Sequence, residues 1–179
     1  HQSQAIAGYV DVVDRCSKDD IAKEFSAADD YNAALRKTPD AFFKPKLVDG
    51  YKDTLDISGT GIMGYLTIDK IDVKLPIYHT TDESILQVAV GHLEGTSLPV
   101  GGAGTHSVIS GHTGLPSAKL FSDLDELEMG DIFVITILDR KLTYQVDQIK
   151  VVLPSEVDDL QIVDGKDYCT LMTCTPYGI

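Results

Sequence analysis

Apolar positions in the first third of the chain recur with the spacing of a helix. Ile6, Tyr9, Val10 and Val13 fall on one face, which predicts a first helix. Ile21, Phe25, Ala28 and Ala34, set among charged residues, predict a second from about Asp19 to Lys37. Ser17 stands where its hydroxyl can accept an orphaned backbone N–H. Thr38-Pro39 ends the run, because proline lacks an N–H and restricts the residue before it. From Asp40 to Ser58 the chain is polar and irregular apart from Phe42, Phe43 and Leu55.

At Gly59 the pattern changes to short apolar runs punctuated by Gly, Pro and Asp. Strands are predicted at Ile62 to Ile68, Val73 to Ile77, Thr105 to Ser110, Ile132 to Leu138, Leu142 to Val152 and Tyr168 to Thr173. A hairpin turn is expected at Asp139-Arg140, and short helices at Glu83 to Val88 and Ser117 to Leu127. Many short strands separated by turn signals predict a mainly β fold, an antiparallel barrel or sandwich. The chain thus divides into a helical extension over 1–58 and a β domain over 59–179, with no internal repeat.

Hydrophobic residues make up 43% of the chain, enough for a packed core. A formal net charge of -13 leaves no basic stripe to displace counterions, so nucleic acid is excluded as a partner. No run approaches the roughly 20 apolar residues that cross a bilayer, and no signal peptide is visible. The chain begins at His1 rather than Met and stops at Ile179 inside what reads as an unfinished motif. The expectation is a trimmed piece of a longer protein.

Three cysteines are too few for a disulfide framework. Cys169 and Cys174 lie five apart in an extended run, an odd offset that sends side chains to opposite faces, so they are not expected to pair. Cys174 ends that run and precedes a loop, where a thiol is held firmly yet can be reached. A free thiol, with a pKa of about 8.5, needs a neighbour to ionise it at neutral pH. Of five histidines, His112 stands out within Ser110-Gly111-His112-Thr113-Gly114, where glycines leave its ring uncrowded. Two readings stay open on these grounds: a catalytic Cys174–His112 pair, or a buried small thiol and a turn histidine.

A wider pattern accompanies this pair. Thr170-Leu171-Met172-Thr173-Cys174 matches the TLxTC signature of sortases, and the adjoining Thr175-Pro176-Tyr177-Gly178 is similar to the pilus-assembling class C of Gram-positive bacteria. The Ser110–Pro116 loop, the stretch from Gly91 to Gly102 and the run from Ile68 to Tyr78 resemble further blocks of that family, in the same order. The resemblance implies a sortase-like closed β-barrel of about eight strands. It implies a transpeptidase that cleaves an LPxTG-like sorting signal between Thr and Gly and passes the acyl group to a pilin lysine. Cys174 is then the nucleophile and His112 its acid–base partner, with Ser110, Thr113, Leu115, Thr173 and Thr175 as substrate-groove candidates. The family's arginine, which steadies the oxyanion or the substrate, matches none of Arg15, Arg36 or Arg140 and is expected beyond Ile179, together with the closing strand.

Asp40-Ala41-Phe42 resembles the Asp-Pro-aromatic lid motif of pilus sortases, with Ala for Pro, which makes Asp40 and Phe42 lid anchors. The plainer alternative is a carboxylate after a helix stop and a ring packed on the nearest surface. The resemblance also implies a monomer at the extracytoplasmic face of the membrane, anchored through segments outside this sequence. Its partners would be pilins carrying a sorting signal and an acceptor lysine. Two alternatives remain: a sortase that uses a peptidoglycan amine, and a non-catalytic surface-binding module.

No cofactor or metal is expected. His106 and His112 lack the ligands to complete a zinc set. Asp123, Asp125, Glu126 and Glu128 do not match calcium-loop spacing, and Gly101-Gly102-Ala103-Gly104 lacks the Lys-Ser/Thr of a phosphate loop. His79, His92 and His106 read as core residues, as does Cys169.

Overall fold

The computed structural model describes residues 2–115 and 118–174. Two helices open the chain, α1 (Gln2–Arg15) and α2 (Lys18–Arg36). Ser17 caps α2 by accepting the Asp20 N–H at 3.1 Å. The buried face of α2 runs through Ile21, Phe25, Ala28, Tyr31, Asn32 and Leu35, so Ala34, expected on that face, is exposed one position away from it.

Seven strands come next among the described residues: β1 (Ile62–Ile68), β2 (Val73–His79), β3 (Val90–His92), β4 (Thr105–Ser110), β5 (Ile132–Ile137), β6 (Arg140–Gln145) and β7 (Asp167–Met172). The four-residue α3 (Glu83–Leu86) stands between β2 and β3. Their order in the sheet is β6-β5-β1-β2-β3-β4-β7. Two pairings, β2 with β3 and β4 with β7, are parallel, where an antiparallel sheet was expected from local patterns alone. Among the described residues the sheet curls into a nearly closed barrel of seven strands, in keeping with the mainly β barrel expected. Across the seam between its edges, Tyr144 Oη donates to Asp167 Oδ1 at 2.7 Å.

The central strands are buried on both faces, because the barrel core lies on one side and the helices cover much of the other. Ile62, Met63, Leu66 and Ile68 of β1 and Ile77 of β2 are nearly inaccessible. They share one hydrophobic cluster with Tyr9, Val13, Phe25, Ala28 and Leu35 of the helices. Polar pins add direction to this packing. Tyr9 Oη donates to Met63 O at 3.1 Å and accepts the Leu138 N–H at 2.8 Å. Burial pushes the Tyr9 phenol up to about 12, the Leu138 N–H opposing. Asn32 pairs with both backbone groups of Leu98, at 3.1 Å and 2.7 Å, as a strand would.

Three local expectations fail, and one strand went unpredicted. Residues 118–127 form turns with only a short 3-10 helix, Leu124–Glu126, and Ser117 lies outside the described residues. Leu120 adopts a left-handed φ of 43°, and the Phe121 N–H bonds to His112 O at 3.0 Å, so the segment folds back on the His112 loop. β6 stops at Gln145 instead of Val152. Ile149, Val151, Val152 and Leu153 are exposed, β-formers with no face to bury. The hairpin turn is Leu138-Asp139, one residue early, because Leu138 is buried and its N–H is fixed by Tyr9. β3, three residues long, gave no periodic signal.

The Tyr9 pin generates a stability prediction. Tyr9→Phe removes a hydroxyl that serves two buried backbone groups and leaves both unpaired, so unfolding free energy falls by about 1–3 kcal/mol. Urea denaturation measures it; a midpoint matching the parent would show that the hydroxyl contributes nothing.

Candidate active site

β4 and β7 run side by side in register, from Thr105 opposite Asp167 to Ser110 opposite Met172. The Gly111 N–H extends the ladder to Met172 O at 3.1 Å. His112 and Cys174 each lie two residues beyond the last pair, so the two segments leave the sheet together at one end. Thr113 Oγ1 then donates to Cys174 O at 2.9 Å and ties the two exits. Gly111 is required here: a Cβ on it would stand 2.6 Å from the Phe121 ring, which seats beneath the His112 loop.

The three thiols differ by environment. Cys16, just past the end of α1, donates from Sγ to Val12 O in its last turn. Cys169 lies within β7; burial first, then the Asp167 carboxylate, pushes its thiol well above the ordinary range. Cys174 alone is exposed.

Among the described residues no hydrogen bond joins the Cys174 thiol to the His112 ring. The ring's Nε2 lies 2.9 Å from Glu83 Oε1 on α3. Gln87 Nε2 donates to the same oxygen at 2.6 Å. These two bonds, that to His112 first, hold the Glu83 carboxyl below its usual range. Sequence reasoning missed Glu83 and Gln87. The only trace was their four-residue spacing on a short helix, far from His112 in the chain.

The other internal histidines are structural. His92 is fully enclosed, its Nε2 facing Ser97 O at 2.7 Å and its Nδ1 facing Tyr51 Oη at 2.8 Å; burial pushes its imidazole down to about 3. His106 Nδ1 donates to Gln161 O at 2.9 Å, which leaves Nε2 to accept from Thr170 Oγ1 at 2.6 Å, and burial lowers its pKa. Thr170, the first residue of the cysteine motif, is thus locked from beneath. His79 lies between Gly61 O at 2.7 Å and Thr54 O at 2.6 Å and fastens the chain entering β1. No group of three or more His, Cys, Asp or Glu among the described residues could hold a metal ion.

Asp40 and Phe42 sit in a 3-10 turn, Pro39–Phe42. Asp40 is exposed and makes no ion pair among the described residues. Phe42 is half-buried and meets Phe43 edge-on at 5.1 Å. The turn rests by its backbone on Gly95, at φ 99°, where a Cβ would stand 2.8 Å from Ala41 O. Lys46 and Glu94 add an ion pair at 3.1 Å. Of the groove candidates, Ser110, Thr113, Leu115 and Thr173 are half-buried near the end of the β4–β7 ladder, and Thr175 lies outside the described residues. Cavities of about 300 Å³ at the β6–β7 seam and about 410 Å³ beside α1 are lined by neither Cys174 nor His112. The arginines are engaged elsewhere: Arg15 with Asp11, Arg36 near Gly104 O, and Arg140 over the Phe25 ring and on Val100 O.

The Sortase domain family model matches residues 66–179. Sortase C1 of Streptococcus agalactiae superposes with a TM-score of 0.88 at 48% identity, covering 98% of this chain and 92% of that one. Sortase C of Clostridium perfringens, solved with the C-terminal cell wall sorting motif, gives 0.81 at 43% identity over 99% and 92%. Sortase C of Streptococcus pneumoniae, described in terms of catalysis and pilin substrate specificity, gives 0.85 at 40% over 98% and 90%. The chain spans about half the length of the curated relatives it matches; sortase A of Streptococcus agalactiae, 28% identical, is matched over 64% of this chain and 47% of its own. With the motif blocks in order on one continuous barrel and the family model running through them, this chain belongs to the sortase family, and its structural neighbours are class C sortases.

Proposed function

We propose that this protein is a cysteine transpeptidase of the pilus-assembling kind, working at the extracytoplasmic face of a Gram-positive cell. The observation that carries the reading is the parallel β4–β7 ladder, which ends with an exposed cysteine beside a histidine loop. The sorting motif held by the Clostridium perfringens neighbour and the pilin specificity of the Streptococcus pneumoniae one support the substrate class.

In this reading the Cys174 thiolate attacks the Thr carbonyl of an LPxTG-like signal. The Thr–Gly bond breaks, a thioester forms, and the departing Gly amine takes a proton from His112. A pilin lysine then attacks the thioester, gives a proton back to His112, and leaves an isopeptide bond and a free thiol. Splitting one acyl transfer into two lowers each barrier, and the lysine's competition with water decides between polymer and hydrolysis. Ser110, Thr113, Leu115 and Thr173 border the path of the signal peptide, and Thr175 is a groove candidate by sequence alone. Asp40 and Phe42 anchor a lid on that path. No helix among the described residues is long and apolar enough to cross a membrane.

Incubation with a pilin carrying the signal and an acceptor lysine should give a ladder on a denaturing gel. Cys174→Ala should give none, and His112→Ala should slow it by about 100-fold or more. Ladders from Cys174→Ala would end the proposal, while acyl transfer to a peptidoglycan amine alone would replace the acceptor.

Lid and thiol are linked by a second test. Phe42→Ala should speed modification of Cys174 by a bulky thiol reagent. Gly95→Ala should do the same, since its Cβ would push the Pro39–Phe42 turn away. Rates equal to the parent in both variants would remove Asp40 and Phe42 from the site.

A further inference from the structure

We infer that Glu83 is a positioning residue for His112: it holds the Nε2–H of the imidazole and leaves Nδ1 to serve the reacting groups, with Gln87 steadying Glu83 in turn. This deepens the transpeptidase reading and rests on it.

A single oxygen joins the three side chains. Glu83 Oε1 accepts from the Gln87 amide at 2.6 Å and lies 2.9 Å from His112 Nε2. An ionised carboxylate can only accept, so Nε2 carries a hydrogen. In the neutral ring that leaves Nδ1 as the one nitrogen with a lone pair, able to take a proton from the thiol or from an incoming amine. When Nδ1 is protonated, Glu83 already lies against the new positive charge, and an imidazolium held in this way favours a facing thiolate. The low-lying Glu83 carboxyl, shifted first by its bond to His112, agrees with an ionised partner.

Three separate parts of the chain converge on the His112 loop, and one of them, Glu83, reaches the ring. The His112 carbonyl is fixed by the Phe121 N–H, and Thr113 is tied to Cys174, so the loop backbone is set from two sides. The side chain, flanked by glycine at 111 and 114, has Glu83 as its hydrogen-bonded partner. Other charges around the loop are Asp82, next to Glu83, and Lys119 with Asp123, which pair with each other at 3.2 Å. The Glu83 side chain is 67% exposed and that of His112 26%, so water and salt screen the coupling. A moderate effect is expected, not the collapse caused by loss of a reacting group.

The test is the pH profile of Cys174 alkylation by iodoacetamide on the intact protein, with peptide mass separating Cys174 from Cys16 and Cys169. Glu83→Gln should slow the reaction about 3- to 10-fold near pH 7. It should meet the parent rate near pH 9, where a free thiol is largely ionised unaided. Glu83→Asp, which keeps the charge, should recover part of the difference, and high salt should narrow it. Superimposed profiles, or equal slowing at every pH, would overturn the inference. Faster alkylation at pH 7 would overturn it too, since Glu83 would then be drawing His112 away from the thiol. If His112→Ala slows alkylation while Glu83→Gln does not, only the role of Glu83 fails. If His112→Ala also changes nothing, the Cys174–His112 pair fails with it.

Discussion

A parallel ladder needs a crossover, and it delivers both of its strands to the same end of the sheet. Here the crossover is long: the chain leaves β4, builds the β5–β6 hairpin on the far edge, and returns as β7. The residues after each strand then emerge at one level, so His112 and Cys174, 62 positions apart in the chain, extend from the same paired ends. An antiparallel pairing of these strands would have put them at opposite ends. The candidate chemistry therefore depends on one pairing, and that pairing depends on Val108 and Ile109 filling the core while Thr170 anchors to His106.

Burial sorts the histidines. Imidazole is the side chain whose unperturbed pKa falls near neutrality, but only where both protonation states can be solvated or paired. His92 and His106 are enclosed and matched to carbonyl and hydroxyl partners, which suits the neutral ring and takes them out of proton transfer near pH 7. His112 stands partly exposed beside a carboxylate that suits the charged ring. The same fold thus uses the residue as a rigid polar strut in the core and keeps it available at the rim.

Much of this was legible because it is local. Helical spacing in Ile6, Tyr9 and Val13, the Ser17 cap and the short apolar runs of β1, β4 and β5 each reflect a few neighbouring residues and their immediate burial. The failures share the opposite cause. Residues 118–127 have helix-like composition, yet the segment is claimed by the His112 loop through Phe121. Val151 and Val152 favour strands but meet no partner, and β3 is too short to show a period. Glu83 was invisible for the same reason: what makes it notable is a neighbour 29 positions away. The cysteine and histidine stood out because unusual residues sit among glycines and threonines at strand ends, whereas an acidic residue on a four-residue helix resembles any solvated one.

The segment between α2 and β1 is fixed firmly at both ends and lightly in between, which bears on the lid proposed for it. On one side Asn32 and Leu35 fix the end of α2 to the barrel, and on the other Val48, Tyr51 and the His79 contacts fix the approach to β1. Between them, from residue 36 to 47, Ala41 is the one buried residue. The backbone bonds of the two 3-10 turns there are internal, so they survive if the turns move as a body. Contacts of this stretch with the rest of the protein are Arg36 near Gly104 O, the buried Ala41, the Gly95 backbone, part of Phe42 and the Lys46–Glu94 pair. Displacing such a segment breaks no strand ladder, which places it among the parts of a fold that open more readily than the core. A peptide competing for the same surface would need to outweigh only those few contacts, which is the energetic condition a lid must satisfy if substrate is to open it.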